Sequence, residues 1–250
     1  MRVALTVPDG GPLFEGHFPG RPILPGVAAL AMICDAISPR GASVRWIRSV
    51  RFRDLIAPGT VLDVSTSDGG DSLVRFEATR EGKVVVNGTV AFGEPDHAEA
   101  AGFAVAARPV RLPAPLDALL PHRLPMRLVE AVLGEADDGA TCLARIPAAS
   151  GFARGGVAPA LTALEAAAQT AAVWEVLRRL RDGGPGEARL GYLVSIRDVT
   201  LRRTTVPVEG DLFASVKLEA AAPPLSHYAA EVVCEGAIVL RGTIGTYLTA

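Results

Sequence analysis

The chain has 250 residues, 49% of them hydrophobic and 21% charged, which excludes a disordered or collagen-like protein and leaves room for one large domain or two of ordinary size. A formal net charge of −2 gives no electrostatic footprint for nucleic acid or an anionic membrane surface. Cys34, Cys142 and Cys234 are odd in number and widely spaced, so they suggest neither a disulfide framework nor a metal knuckle and fit a reducing compartment.

In chain order, the N-terminal run MRVALTVPDGG lacks a signal-peptide core and cleavage pattern, so a cytoplasmic location is expected. A short strand there leads into a Gly/Pro-rich loop and an apolar helix beginning near Pro25. Alternating and Val-rich patterns then predict strands near 43–53, 61–67, 72–79 and 83–92, separated by turn signals. The stretch from Glu94 to Pro113, rich in Ala and Pro, reads as a linker, with part of it extended.

A second short strand, loop and helix near Pro159 follow, with strands predicted near 190–202, 211–218, 226–234 and 237–248. The longest apolar run, Val157 to Leu177, is dominated by alanine and contains Glu165, Gln169 and Glu175, so it reads as a buried helix and not a membrane span. Both helices are apolar almost all round, as expected of helices enclosed on most sides by sheet.

The order of elements repeats, and so do residues within it. Ile47-Arg48-Ser49-Val50-Arg51-Phe52-Arg53 matches Ile196-Arg197-Asp198-Val199-Thr200-Leu201-Arg202. Glu81-Gly82 followed by Gly88-Thr89-Val90 matches Glu235-Gly236 followed by Gly242-Thr243-Ile244. Each helix-opening proline, Pro25 and Pro159, lies seven residues after a phenylalanine, Phe18 and Phe152. The offset between copies grows from 134 to 149 to 154 residues. The extra length falls mainly in RRLRDGGPGE, residues 178–187, a helix end followed by a loop. The predicted organisation is a first unit at 1–95, a linker at 96–114 and a second unit at 115–250.

The segment most informative about chemistry is Leu13-Phe14-Glu15-Gly16-His17-Phe18-Pro19-Gly20-Arg21-Pro22-Ile23-Leu24-Pro25-Gly26-Val27. Its prolines stiffen a loop, its glycines allow close backbone approach, and the helix that follows offers unpaired N–H groups to a developing negative charge. A histidine held there suits general-base work, because an imidazole ordinarily titrates at about pH 6.5. The segment resembles the signature of the 3-hydroxyacyl-(acyl carrier protein) dehydratases of the hotdog superfamily. The resemblance implies an α+β double hotdog, two antiparallel sheets joined into one around two central helices.

In that family the histidine works with a carboxylic acid fourteen residues later, and the two meet across a dimer interface. Fourteen after His17 is Ala31, whereas fourteen before Glu165 is Gly151. The first copy therefore retains the base and the second retains the acid. The resemblance implies one composite site from His17 and Glu165, and a degenerate one at Ala31 and Gly151. It further implies that the Gly26 backbone N–H steadies the thioester oxygen, Phe18 lines the substrate tunnel and Gln169 orients Glu165. Asp35 stands where the family often has that glutamine. An ionised carboxylate in an enclosed alanine-rich helix costs several kcal/mol unless paired or hydrogen-bonded, and burial favours the neutral acid.

Leu119-Leu120-Pro121-His122-Arg123 resembles another segment of the same dehydratases, and His122 is read as structural. The two halves are similar to the His-bearing and Glu-bearing components of two-protein dehydratases of aryl polyene pathways. The resemblance implies dehydration of 3-hydroxyacyl thioesters in a fatty-acid, polyketide or aryl polyene type pathway. The substrate would be carried on the phosphopantetheine of acyl carrier protein, with no metal or other cofactor. Acyl thioester hydrolysis and non-catalytic acyl-carrier binding are the alternatives. The pseudo-dimer leaves a further homo-oligomer open. Arg178, Arg179, Arg181, Arg202 and Arg203 offer basic patches but are read as ordinary solvated charge. His97 and His227 have no supporting partners in sequence.

Overall fold

A computed structural model describes residues 1–95, 108–110, 112, 114–184 and 189–249. The first copy comprises β1 (Arg2–Thr6), α1 (Gly26–Ile37), β2 (Val44–Phe52), β3 (Val61–Asp68), β4 (Leu73–Arg80) and β5 (Lys83–Phe92). After the single-turn α2 (Leu116–Leu119), the second copy opens on a hairpin, β6 (Val129–Ala136) and β7 (Gly139–Ala144). It continues through β8 (Val157–Pro159), α3 (Ala163–Arg181), β9 (Gly191–Leu201), β10 (Thr205–Pro207), β11 (Leu212–Ala222), β12 (Leu225–Cys234) and β13 (Ala237–Leu248).

Eleven strands form one antiparallel sheet in the order β1-β3-β4-β5-β2-β9-β13-β12-β11-β7-β6. The junction is β2 against β9, with Ile47 opposite Val199 and Val50 opposite Ile196. The repeated Ile-Arg segments of the two copies are thus the two strands that join the halves. Both helices pack on this sheet. Val27, Leu30, Ile33 and Ile37 of α1 and Leu164, Ala167, Val173 and Trp174 of α3 are buried in one continuous core.

The repeated glycines have structural reasons. Glu81-Gly82 and Glu235-Gly236 both have positive φ at each residue, as a two-residue type I′ hairpin turn demands. The β13–β9 register shifts at Gly242, whereas Gly88 pairs in register with Val50 of β2. A Cβ at Gly88 would lie 2.6 Å from the Ser49 carbonyl oxygen, and one at Gly242 would lie 2.6 Å from the Val199 Cα.

The second copy departs from the expected single opening strand. Asp137-Asp138 turns the chain between β6 and β7, which extend the sheet beyond β11. The linker at 96–114 and the loop of the 178–187 insertion lie partly outside the described residues, as does His97. Within the linker, Arg108 pairs antiparallel with Glu135 of β6. Cys34, Cys142 and Cys234 are free and buried. No helix among the described residues is long and apolar enough to cross a membrane.

Candidate active site

His17 sits in the loop between β1 and α1. Its backbone N–H donates to Phe14 O at 3.0 Å, and its carbonyl accepts Ile23 N–H at 3.2 Å. Its ring Nδ1 lies 3.0 Å from Ile23 O. A carbonyl can only accept, so Nδ1 carries the proton and the Nε2 lone pair is left for a reactant. The loop is clamped from the other half. Gly16 O accepts Arg123 N–H at 3.0 Å, and a Cβ at Gly16 would fall 2.0 Å from Arg123 O.

Glu165 lies in the first turn of α3 and is 4% exposed. Its Oε1 accepts Gln169 Nε2 at 3.0 Å, one helical turn on. Gln169 is fixed in turn: Nε2 also donates to Met126 O at 2.8 Å, while Oε1 accepts Leu128 N–H at 2.8 Å and Val129 N–H at 3.3 Å. Every polar atom of this buried amide is engaged, so it fixes the orientation of the carboxylate.

A histidine and a carboxylate from opposite halves therefore meet. Ligating atoms of His17, Glu165 and a third residue, His122, all lie within 4.8 Å of one another. His122 Nε2 is 3.6 Å from Glu165 Oε1, and its ring centroid is 5.4 Å from that of His17. Burial, then the nearby His17 and Arg123, push its pKa well below the ordinary imidazole range. The structural role read for His122 in the sequence thus understates its position. The available signal was the Leu-Pro-His-Arg segment itself, whose arginine backbone grips the His17 loop.

His17, His122, Glu165 and Gly26 line one cavity that opens to solvent. Gly26 opens α1, where a backbone N–H has no intrahelical acceptor; a Cβ there would press to 3.3 Å of the Phe52 ring. From Glu165 the cavity follows one stripe of α3 through Ala168, Ala171, Ala172 and Val176, about 16 Å of helix at 1.5 Å per residue. Phe18 is not on that lining. Its ring stacks on His17 at 4.2 Å between centroids and sets its edge towards His122 at 4.9 Å, because its own burial lies behind the imidazoles. Gln169 also stands behind the wall.

The mirrored positions Ala31 and Gly151 do not share a cavity lining. Ala31 lines a separate cavity with Cys34, Pro159 and Leu161, but Gly151 packs elsewhere. A Cβ on Gly151 would meet the Leu13 side chain at 2.5 Å and the Leu13 backbone nitrogen at 2.8 Å. Asp35, the counterpart of Gln169, is exposed and pairs with Arg154 at 3.1 Å.

Several arginines of the supposed patches are tied to carboxylates. Arg178 pairs with Glu175 at 3.0 Å, Arg181 with Asp137 at 3.6 Å and Arg203 with Glu235 at 2.7 Å. Glu175 is itself buried on the cavity wall, accepting from Tyr228 Oη and, at 3.2 Å, from Ser226 Oγ.

Residues 114–250 match the family model of ApeP-like proteins, described as ApeP dehydratase, and residues 1–89 match the ApeI-like model, described as ApeI dehydratase. The chain belongs to the ApeP-like dehydratase family. It carries an ApeI-like hotdog half fused ahead of the ApeP-like half. Among solved structures it resembles the dehydratase heterocomplex ApeI:P from Xenorhabdus doucetiae, with 26% identity and a TM-score of 0.50 over 55% of this chain and 92% of that one. The dehydratase domain of the polyketide PpsC from Mycobacterium tuberculosis aligns with all of this chain and 93% of its own, at 19% identity and a TM-score of 0.69; that likeness concerns the double-hotdog fold. The 3-hydroxyacyl-(acyl-carrier-protein) dehydratase FabZ of Anaplasma phagocytophilum is 42% identical over 69 residues, covering 22% of this chain and 48% of that protein. FabZ of Lactobacillus helveticus is 33% identical over 97 residues, covering 33% and 66%. The chain spans about half to two thirds of the length of these curated relatives.

Proposed function

We propose that the chain dehydrates 3-hydroxyacyl thioesters to trans-2-enoyl thioesters at one composite site between its units at 1–95 and 115–250. The observation that carries this reading is the approach of His17 and Glu165, from different halves, to within 4.8 Å on the wall of a shared cavity. His17 Nε2 takes the C2 proton, the electron pair left behind becomes the C2–C3 double bond, and the C3–O bond breaks. Glu165 in its acid form gives its proton to the departing hydroxyl, which leaves as water. The Gly26 N–H steadies the thioester oxygen while negative charge builds on it. Transfer of the proton from His17 to Glu165 across the short gap resets the site.

Gln169 holds the Glu165 carboxyl in place through Oε1. The alanine-lined stripe of α3 receives the acyl chain, which arrives on phosphopantetheine from an acyl carrier protein, without metal or redox cofactor. The reaction is followed with 3-hydroxyoctanoyl-loaded acyl carrier protein and the wild type, His17→Ala and Glu165→Gln. Enoyl product from the wild type and a loss of about 10³-fold or more in each variant support the reading. Full activity in either variant, or release of free thiol without enoyl product, overturns it.

A further inference from the structure

We propose that His122 is a third catalytic residue, a neutral imidazole whose Nε2–H binds the leaving 3-hydroxyl oxygen beside Glu165. This role rests on the dehydratase reading. His122 lines the cavity and is 6% exposed. Its Nε2 stands 3.6 Å from Glu165 Oε1, too far for a hydrogen bond between them. An oxygen seated between the two reaches both. His122 Nδ1 is buried and has no hydrogen-bond partner among the described residues. A proton on Nδ1 would be stranded there, whereas the Nε2–H tautomer leaves only an unused lone pair.

The same asymmetry argues against reading the cluster as a cation site. A metal on His122 Nε2 would force the proton onto Nδ1, and ligating histidines ordinarily donate that second N–H to an acceptor. The charged and titratable groups acting on His122 are His17, Arg123 and Glu165. Burial and the first two keep the ring neutral, so it acts as a fixed donor and Glu165 remains the proton source. A hydroxyl that departs as its C–O bond breaks gains negative charge, so a donor aimed at it binds the transition state more strongly than the ground state.

The test uses the full chain with 3-hydroxyoctanoyl-loaded acyl carrier protein and compares kcat, KM and pH profiles of wild type, His122→Leu and His122→Gln. The leucine variant is expected to lose about 10²-fold in kcat with little change in KM. The glutamine amide, which returns an N–H near Nε2, is expected to recover about tenfold of that loss. Both variants keep the ionisation limbs of the wild type. An active wild type with an unimpaired His122→Leu overturns the role of His122 alone, as does an ionisation limb missing from the His122→Gln profile. A wild type that makes no enoyl product overturns the dehydratase reading and this role with it.

Discussion

Glu165 has unlike surroundings at its two oxygens: Oε1 accepts Gln169 and faces His122, while Oε2 has no hydrogen-bond partner among the described residues. That asymmetry depends on Gln169, which also ties the Met126, Leu128 and Val129 backbone. Gln169→Leu would strand those buried groups at about 1–3 kcal/mol each for the ones left unsatisfied. Urea unfolding should show a loss of roughly 3 kcal/mol, with kcat down at least about tenfold because the carboxylate is no longer held. Unchanged stability would contradict the hydrogen-bond assignment. His122 adds a pH dependence. Its folded-state pKa is depressed, so below about pH 6.5 the unfolded chain takes up a proton that the folded chain refuses. Stability then falls on acidification by up to about 1.4 kcal/mol per pH unit from this group. Unfolding midpoints of His122→Gln should lack that contribution, and parallel curves for the two proteins would contradict it.

At the scale of elements, the Ile-Arg repeat and the paired Glu-Gly turns were legible in sequence because each reflects a local rule of chain geometry, while the fourteen-residue spacing was supplied by the family resemblance. β5 and β13 fall on their predicted ends, Lys83–Phe92 and Ala237–Leu248. The β6–β7 hairpin was not legible. Its strands are short and mix Gly and Ala with polar residues, and only pairing with β11 makes them strands. His122 escaped for a related reason. It lies 105 residues from His17 in sequence, and the contact is created by the Gly16–Arg123 clamp. The resemblance placed Phe18 on the tunnel wall, but its ring stacks on the His17 imidazole and is not on the cavity lining. The packing of Leu13 against Gly151 gives a further prediction. Ala31→Glu with Gly151→His should not produce a second set of turnovers, because the new side chain meets Leu13. Active-site titration with a mechanism-based inhibitor should still count one site per chain, and a count of two would contradict the packing.

Over the whole molecule, the fusion turns a relationship between subunits into one within a chain. The β2–β9 junction makes the sheet continuous across the halves, and the Gly16–Arg123 clamp locks the His17 loop to the Leu-Pro-His-Arg segment. The base can therefore sit on one half and the acid on the other without an assembly step. This permits unequal halves: His17 and Glu165 approach within 4.8 Å at one position, while Leu13 packs against Gly151. In a symmetric dimer of identical chains, two variants lacking different members of the pair can share subunits and rebuild a working site. A fused chain cannot do so, because its His17 meets its own Glu165. The decisive measurement is the dehydration rate of mixed His17→Ala and Glu165→Gln proteins, unfolded and refolded together, against each alone and the wild type treated alike. The account predicts that the wild type recovers its rate while the mixture stays as inactive as the separate variants; recovery of activity in the mixture, or full activity in either variant, would contradict it.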